Sequence, residues 1–249
     1  MNYHFFAPAG RFDACGMFTT SHILSVIICL VLIALASAFV IKSDCVSSRQ
    51  KMMKCTAIIL TILEIIKISH SFYYGDLYLD AWFPLSYCGL FIFAAWISGF
   101  GNGRIRHIAD AYITYGCPVA GICFLIFPTT SLMSYPVWHY FSAYSLLFHT
   151  LMIFFGIISL HQEQRLTIST YLRYLIFILP FSVISIIINH CEGSNLMNLR
   201  EPYNIPIAWL QTIYDNASWL YTALTLFLYI SIPLIVGGVC RKISPCKSQ

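Results

Sequence analysis

The chain has 249 residues, 59% of them hydrophobic and 10% charged, with a mean hydropathy of +0.75 and a formal net charge of +4. A soluble domain carries about 25% charged residues, so these figures exclude a set of soluble domains and call for one all-α, polytopic bundle in a bilayer. The 10 cysteines do not make a disulfide scaffold: most lie in apolar runs (Cys29, Cys117, Cys123) or in short basic loops (Cys45, Cys55, Cys240, Cys246), and no C-x-x-C occurs.

A helix that crosses the hydrocarbon needs about 20 mostly apolar residues. Seven stretches qualify, over 20–41, 53–74, 82–100, 111–127, 137–160, 171–190 and 213–239. In the first, "ASA" at 36–38 imitates a signal cleavage site. Only Arg11 is basic before it, and the basic cluster Lys42, Arg49, Lys51, Lys54 follows it, so a signal peptide is not expected. The second carries Glu64, Lys67 and His70. Glu64 and Lys67 are three apart and share a helix face, which Ser71 extends. An ionisable group in a spanning helix costs about 2.5–3.5 kcal/mol, so these should face a partner or a cavity.

The third stretch opens "FPLSYC" (83–88), with Cys88 where the chain should already be in lipid. The fourth, the shortest, contains Pro118 and is expected to kink there. The fifth carries His139, Ser142, Ser145 and His149 on one helical stripe. The seventh carries Ser218, Thr222, Thr225 and Tyr229 on one face, a pattern that commonly joins membrane helices. Trp82, Trp138, Trp209 and Trp219 sit near proposed ends, as interfacial anchors do.

Lysines and arginines set the orientation. Eleven of the 14 fall after spans 1, 3 and 5, at the start of span 6 or in the C-terminal tail: Lys42, Arg49, Lys51, Lys54, Arg104, Arg106, Arg165, Arg173, Arg241, Lys242 and Lys247. The opposite side has only Arg11 and Arg200. The positive-inside rule then puts the N-terminus outside and the C-terminus in the cytoplasm. At 1.5 Å per residue, Cys88 lies about 9 Å below the outer surface, Lys67 about 10, Glu64 about 15 and His149 about 16. His22, His139, Asn189 and His190 lie nearer that surface. The inner half reads as almost uniformly apolar, which suits a cavity that opens outward and disfavours a through-channel.

A cysteine in a membrane helix is commonly a small packing residue. With an imidazole as its base it is a nucleophile, and His149, His70 and His139 are rival bases by position. The four histidines His22, His70, His139 and His149 with Glu64 are also of the type that binds metal, which chelators would test. The reading assigns no metal and no cofactor. It expects membrane lipids as partners, with no nucleic acid.

The order of these features resembles the YwaF-type integral membrane family, whose eukaryotic relative is transmembrane protein 164. The resemblance rests on His22 at the start of span 1, Glu64 in span 2, "FPLSYC" against the family's L-P-L-H-L-C, and "YGCPVAGICFLIFP" (115–128) in span 4. It continues in the histidines of "HYFSAYSLLFHTLMI" (139–153) and in "INHCEGSNLMNLREP" (188–202). It implies a lipid acyltransferase or lipid-ester hydrolase with Cys88 as nucleophile and His149 as its base. It also implies that Asn189 and Asn195 shape the site. The chain departs from the pattern at Ser86, where the family has histidine, and at Gly89, often acidic. Supporting roles are expected for Glu64, Lys67, His70, His22, His139, Ser86, Asn189 and Asn195, with Ser86, Asn189 or Lys67 as oxyanion donors. The alternatives are a small-solute or lipid binder or transporter built on Glu64, Lys67 and the histidines, and a non-catalytic accessory membrane subunit. The expected location is the plasma membrane of a bacterium.

Overall fold

The computed structural model describes residues 4–43, 48–163, 166–203, 205 and 207–243. Cys45, Arg165, Cys246 and Lys247 lie outside these residues, as do the side chains of Cys240, Arg241 and Lys242. The described chain is helical throughout: α1 (Thr20–Lys42), α2 (Arg49–Tyr73), α3 (Leu79–Trp82), α4 (Leu90–Phe100), α5 (Gly103–Ile126), α6 (Tyr140–Glu163), α7 (Ile168–Glu192), α8 (Ala208–Asn216) and α9 (Ser218–Ile243). Local signals fix several ends. The Thr19 hydroxyl caps α1 by accepting from the His22 amide at 3.2 Å, α7 opens on a Thr167–Thr170 capping box, and it closes on Gly193 at φ +69°.

Among the described residues, five helices are long and apolar enough to cross a membrane: α1, α5 with the turn that follows it, α6, α7 and α9. The two remaining expected spans differ in character. α2 has the length, at 25 residues, but carries Arg49, Lys51, Lys54, Glu64 and Lys67. α4 has only 11 residues, because the expected start of span 3 is not helical. Pro84 disfavours helix at Phe83, which is extended at φ −82°, ψ 119°, so the chain turns at 84–89 before α4 begins.

α5 is the axis of the bundle, packed by α4, α6, α7 and α9, while α1 lies on α6 and α2 on α4. It begins at Gly103 rather than near 111 and runs as one helix through Pro118. Gly156 of α6 accommodates the proline ring: a Cβ there would lie 2.3 Å from Pro118 Cγ. α1 is apolar all round and mostly exposed, which suits lipid, and it buries only a stripe that includes His22, Cys29 and Ile33.

Two assignments change. Arg49, Arg104 and Arg106 are helical residues rather than loop residues. The end of the bundle remote from Glu64 is not uniformly apolar either. There Asp110 of α5 accepts from Arg49 at 3.0 Å and from Ser98 at 2.5 Å, and pairs with Arg106 at 3.5 Å, while Arg49 Nε donates to Ser159 at 3.0 Å. A buried arginine needs an acid beside it, and Asp110 joins α2, α4 and α5 directly and reaches α6 through Arg49.

Candidate functional site

Cys88 stands in the 84–89 turn that leads into α4, half-buried. Ser86 caps that turn, its Oγ accepting from the Gly89 amide at 2.9 Å, while Leu90 N–H donates to the Ser86 carbonyl at 3.1 Å and Phe91 N–H to the Cys88 carbonyl at 2.9 Å. A Cβ on Gly89 would meet the Pro84 carbonyl at 2.7 Å and Ser86 Oγ at 2.9 Å. The two departures from the family pattern therefore act together: serine supplies the cap, and glycine fits the space beneath it. The Cys88 sulfur lies within electrostatic range of Cys117, Cys123, Tyr112 and Tyr229.

Four tyrosines hold this turn in place. Tyr112 O–H donates to the Tyr87 carbonyl, Tyr174 O–H to the Tyr229 carbonyl at 2.8 Å, and Tyr229 O–H to the Met197 carbonyl at 2.7 Å. The Tyr87 and Tyr174 hydroxyls are 2.9 Å apart. Since Tyr174 spends its one proton on Tyr229, Tyr87 is the donor in that pair. The Tyr87 and Tyr229 rings stack at 4.4 Å. The turn bearing Cys88 is thus fastened to α5, α7 and α9.

His149 of α6 is buried. Its Nδ1 carries the proton and donates to the Ser145 carbonyl at 2.7 Å, so Nε2 keeps its lone pair. Its ring lies flat on Phe124 at 3.7 Å and 5°. No hydrogen bond joins Cys88 to His149 among the described residues. Phe91, a turn beyond Cys88, packs edge-on against Phe148, the chain neighbour of His149, at 5.6 Å. Successive α5 residues then face the pair: Cys123 is near Cys88, and Phe124 lies on His149.

Glu64 and Lys67 form the expected ion pair, at 2.6 Å, and Glu64 also accepts from Tyr144 O–H at 2.6 Å. The partner across the helix interface is this tyrosine of α6 rather than a histidine. The other three histidines hold backbone. His22 Nδ1 accepts from Phe18 N–H and its Nε2 donates to the Leu125 carbonyl, each at 3.0 Å. His139 Nε2 donates to the Ala7 carbonyl at 2.9 Å and its Nδ1 accepts from Phe141 N–H at 3.2 Å. His70 Nε2 donates to the Phe6 carbonyl at 3.2 Å. Among the described residues no group of three or more His, Cys, Asp or Glu side chains gathers at metal-binding spacing. Cys15 and Cys191 are free thiols.

Asn189 and Asn195 tie down the 193–201 loop. Asn189 donates to the Leu196 carbonyl at 3.0 Å and accepts from Leu196 N–H at 2.7 Å and Ser194 O–H at 2.9 Å. Asn195 Oδ1 accepts from the amides of Arg200 and Glu201, both at 3.1 Å. Asp80 accepts the Asn195 amide at 2.9 Å. Tyr221, Thr222 and Tyr229 donate to the consecutive carbonyls of Asn198, Leu199 and Met197. These bonds hold Met197 (φ +57°) and Asn198 (φ +50°) in left-handed backbone. A groove of about 360 Å³ opens beside this loop, between α7 and α9, lined by Asn189, His190, Arg200, Tyr214 and Trp219 among others.

Sequence reasoning missed Tyr87, Tyr112, Tyr144 and Tyr174 as site residues, and placed Tyr229 only on an interhelical face. With 16 tyrosines in the chain, type alone does not separate a site tyrosine from an interfacial one. Tyr87, next to Cys88, carried the one local signal.

Among the described residues, an all-helical bundle with five membrane-length apolar helices defines a multi-pass integral membrane protein. The TMEM164 family model matches residues 17–236, and the chain belongs to the TMEM164 family. This is the relative through which the resemblance was drawn, and the match covers every candidate site residue. No curated protein and no solved structure matches the chain.

Proposed function

We propose that the protein is a thiol-dependent lipid acyltransferase or lipid-ester hydrolase of seven crossings, with the N-terminus outside and the C-terminus cytoplasmic, in the plasma membrane of a bacterium. The supporting observation is the state of His149: its Nδ1 proton is committed to Ser145, so Nε2 is the nitrogen that can take a proton, and Phe91, a turn beyond Cys88, packs on the neighbouring Phe148. The paired charges of α2, Arg49 with Asp110 and Glu64 with Lys67, support α2 as a crossing despite its composition.

In this reading an acyl ester enters between Cys88 and His149, which come into proton-transfer reach only with substrate bound. Cys88 Sγ attacks the acyl carbonyl as its proton passes to His149 Nε2. The tetrahedral intermediate collapses to a thioester, and the leaving alcohol takes the proton from His149. A second alcohol, or water, then attacks the thioester, gives its proton to His149, and releases product as Cys88 regains it. Of the expected oxyanion donors, Asn189 is committed to its loop and Lys67 to Glu64. Ser86 keeps its hydroxyl proton and takes that role.

The test is labelling in nanodiscs with a lipid-like electrophilic probe, with the adduct mapped by mass spectrometry. Selective labelling of Cys88, slowed about 100-fold or more in His149→Ala, as loss of a general base does, is the expected result. Labelling spread over several cysteines and indifferent to His149 would sink the reading.

A second reading, binding of a small solute or lipid at Glu64 and Lys67, draws on one observation: the ion pair and Tyr144 form a built polar site inside the bundle. It predicts function that survives Cys88→Ala and fails in Glu64→Gln.

A further inference from the structure

The sequence suggests a cavity that opens at the Glu64 end. Instead, residues 4–8 lie across that end as a strap. The Phe5 carbonyl accepts from Tyr140 N–H at 3.0 Å, the Phe6 carbonyl from Tyr74 O–H at 3.1 Å and His70 Nε2 at 3.2 Å, and the Ala7 carbonyl from His139 Nε2 at 2.9 Å. Ala7 is 3% exposed. The Phe6 ring packs on Tyr140 at 5.0 Å, and Tyr140 stacks on Tyr144, which holds Glu64. Residues 4–8 precede the family match, which begins at 17.

We propose that residues 4–8 form an acid-released latch over the Glu64–Lys67–Tyr144 site, held shut by the neutral form of His139. The geometry at His139 carries the argument. Its Nδ1 accepts the Phe141 amide, so its proton is on Nε2, where it holds Ala7. A second proton on Nδ1 would replace an acceptor with a donor that faces Phe141 N–H. It would also place a cation at a fully buried position, 6.0 Å from the His70 ring. A buried charge without a partner is costly, whereas an imidazole freed to water carries its proton readily near its ordinary pKa of about 6.5.

The groups that face the latch fit this sign. Tyr135 stacks on His139 at 4.2 Å, with Asp76 near Tyr135, and this favours the cation modestly. Among the described residues no carboxylate lies within ion-pair distance of either histidine. Tyr74 and Tyr140 donate to backbone carbonyls, Glu64 is paired with Lys67, His4 lies in the segment itself, and Arg11 and Asp13 follow it. The latch therefore holds at neutral pH and releases as pH falls through the imidazole range. It stands whether or not Cys88 is a nucleophile.

The test is hydrogen–deuterium exchange on the full chain in nanodiscs at pH 7.5 and 5.0, corrected for intrinsic rates. Peptides over 4–8 and 139–144 should exchange at least about tenfold faster at pH 5.0, as one linked proton over about one pH unit provides, while α5 stays unchanged. His139→Asn keeps an N-cap and an amide donor, so it should hold the neutral protection and lose the pH response. If that variant does not fold, His139→Gln, which also keeps an amide donor for the Ala7 carbonyl, should show the same loss of response. Unchanged exchange over 4–8 at pH 5.0, a pH response in His139→Asn equal to wild type, or loosening spread across all the helices would overturn the proposal.

Discussion

Single side chains here act mainly by where their protons sit. His139 stands just before α6 and His149 lies within it, and the second leaves Nε2 free while the first spends both nitrogens on backbone. Glu64 depends on Tyr144 for its second partner, so Tyr144→Phe should lower stability by about 2 kcal/mol, the usual worth of a hydrogen bond to a buried charge, read as a lower melting temperature in detergent. Asp80 shows the opposite balance. Desolvation where it meets the 193–201 loop, with Glu201 nearby, pushes its carboxyl above the ordinary range, against the Asn195 amide and Arg200, which pull it down. A raised native pKa means that the folded chain gains stability as Asp80 takes up a proton and loses it as pH rises past that point. Asp80→Asn, which keeps an acceptor for Asn195, should therefore raise the melting temperature at pH 7.5, with a gain that shrinks toward pH 4.

At the scale of elements, small residues decide how closely helices meet. Gly156 admits the Pro118 ring, and Gly121 admits Ile153, where a Cβ would lie 2.5 Å from Ile153 Cγ1. Gly156→Ala should cost about 1–3 kcal/mol through overpacking, measured by thermal unfolding, because α5 and α6 cannot both keep their positions. Gly89→Ala would press on the Pro84 carbonyl and Ser86. It should disturb the Cys88 turn and slow probe labelling at Cys88 while leaving the bundle folded.

The whole molecule is tied at both ends by polar nodes with an aromatic and apolar core between them. At one end Glu64, Lys67 and Tyr144 join α2 to α6. At the other Arg49, Asp110, Ser98 and Ser159 join α2, α4, α5 and α6. Arg49 and Glu64 are 15 positions apart on α2, about 22 Å at helical rise, so the two nodes set the register of α2 along its length. Asp110→Asn leaves a buried arginine without its anion and should cost about 3–5 kcal/mol. Replacing Asp110 and Arg49 together with apolar residues of similar size should recover much of that loss, which a double-mutant cycle in detergent would read.

The sequence by itself determined the membrane class, the helical content, the shared face of Glu64 and Lys67, and the family. Each of these depends on composition or on spacing within one element. The tertiary structure alone decided the rest. Pro84 removed the first turn of the expected third span, but the role of Ser86 as a cap appears only once the 84–89 turn is folded. Asp110 looks like a stray acid four residues after Arg106 until α2 brings Arg49 to it from 61 positions away. Only the folded chain shows that the side chains of Asn189 and Asn195 close on the 193–201 loop. The tyrosine clasp joins Tyr87, Tyr112, Tyr174 and Tyr229 across four elements. A hydroxyl or an imidazole finds its partner only after packing brings distant segments within about 3 Å, and no local period in the chain records that meeting.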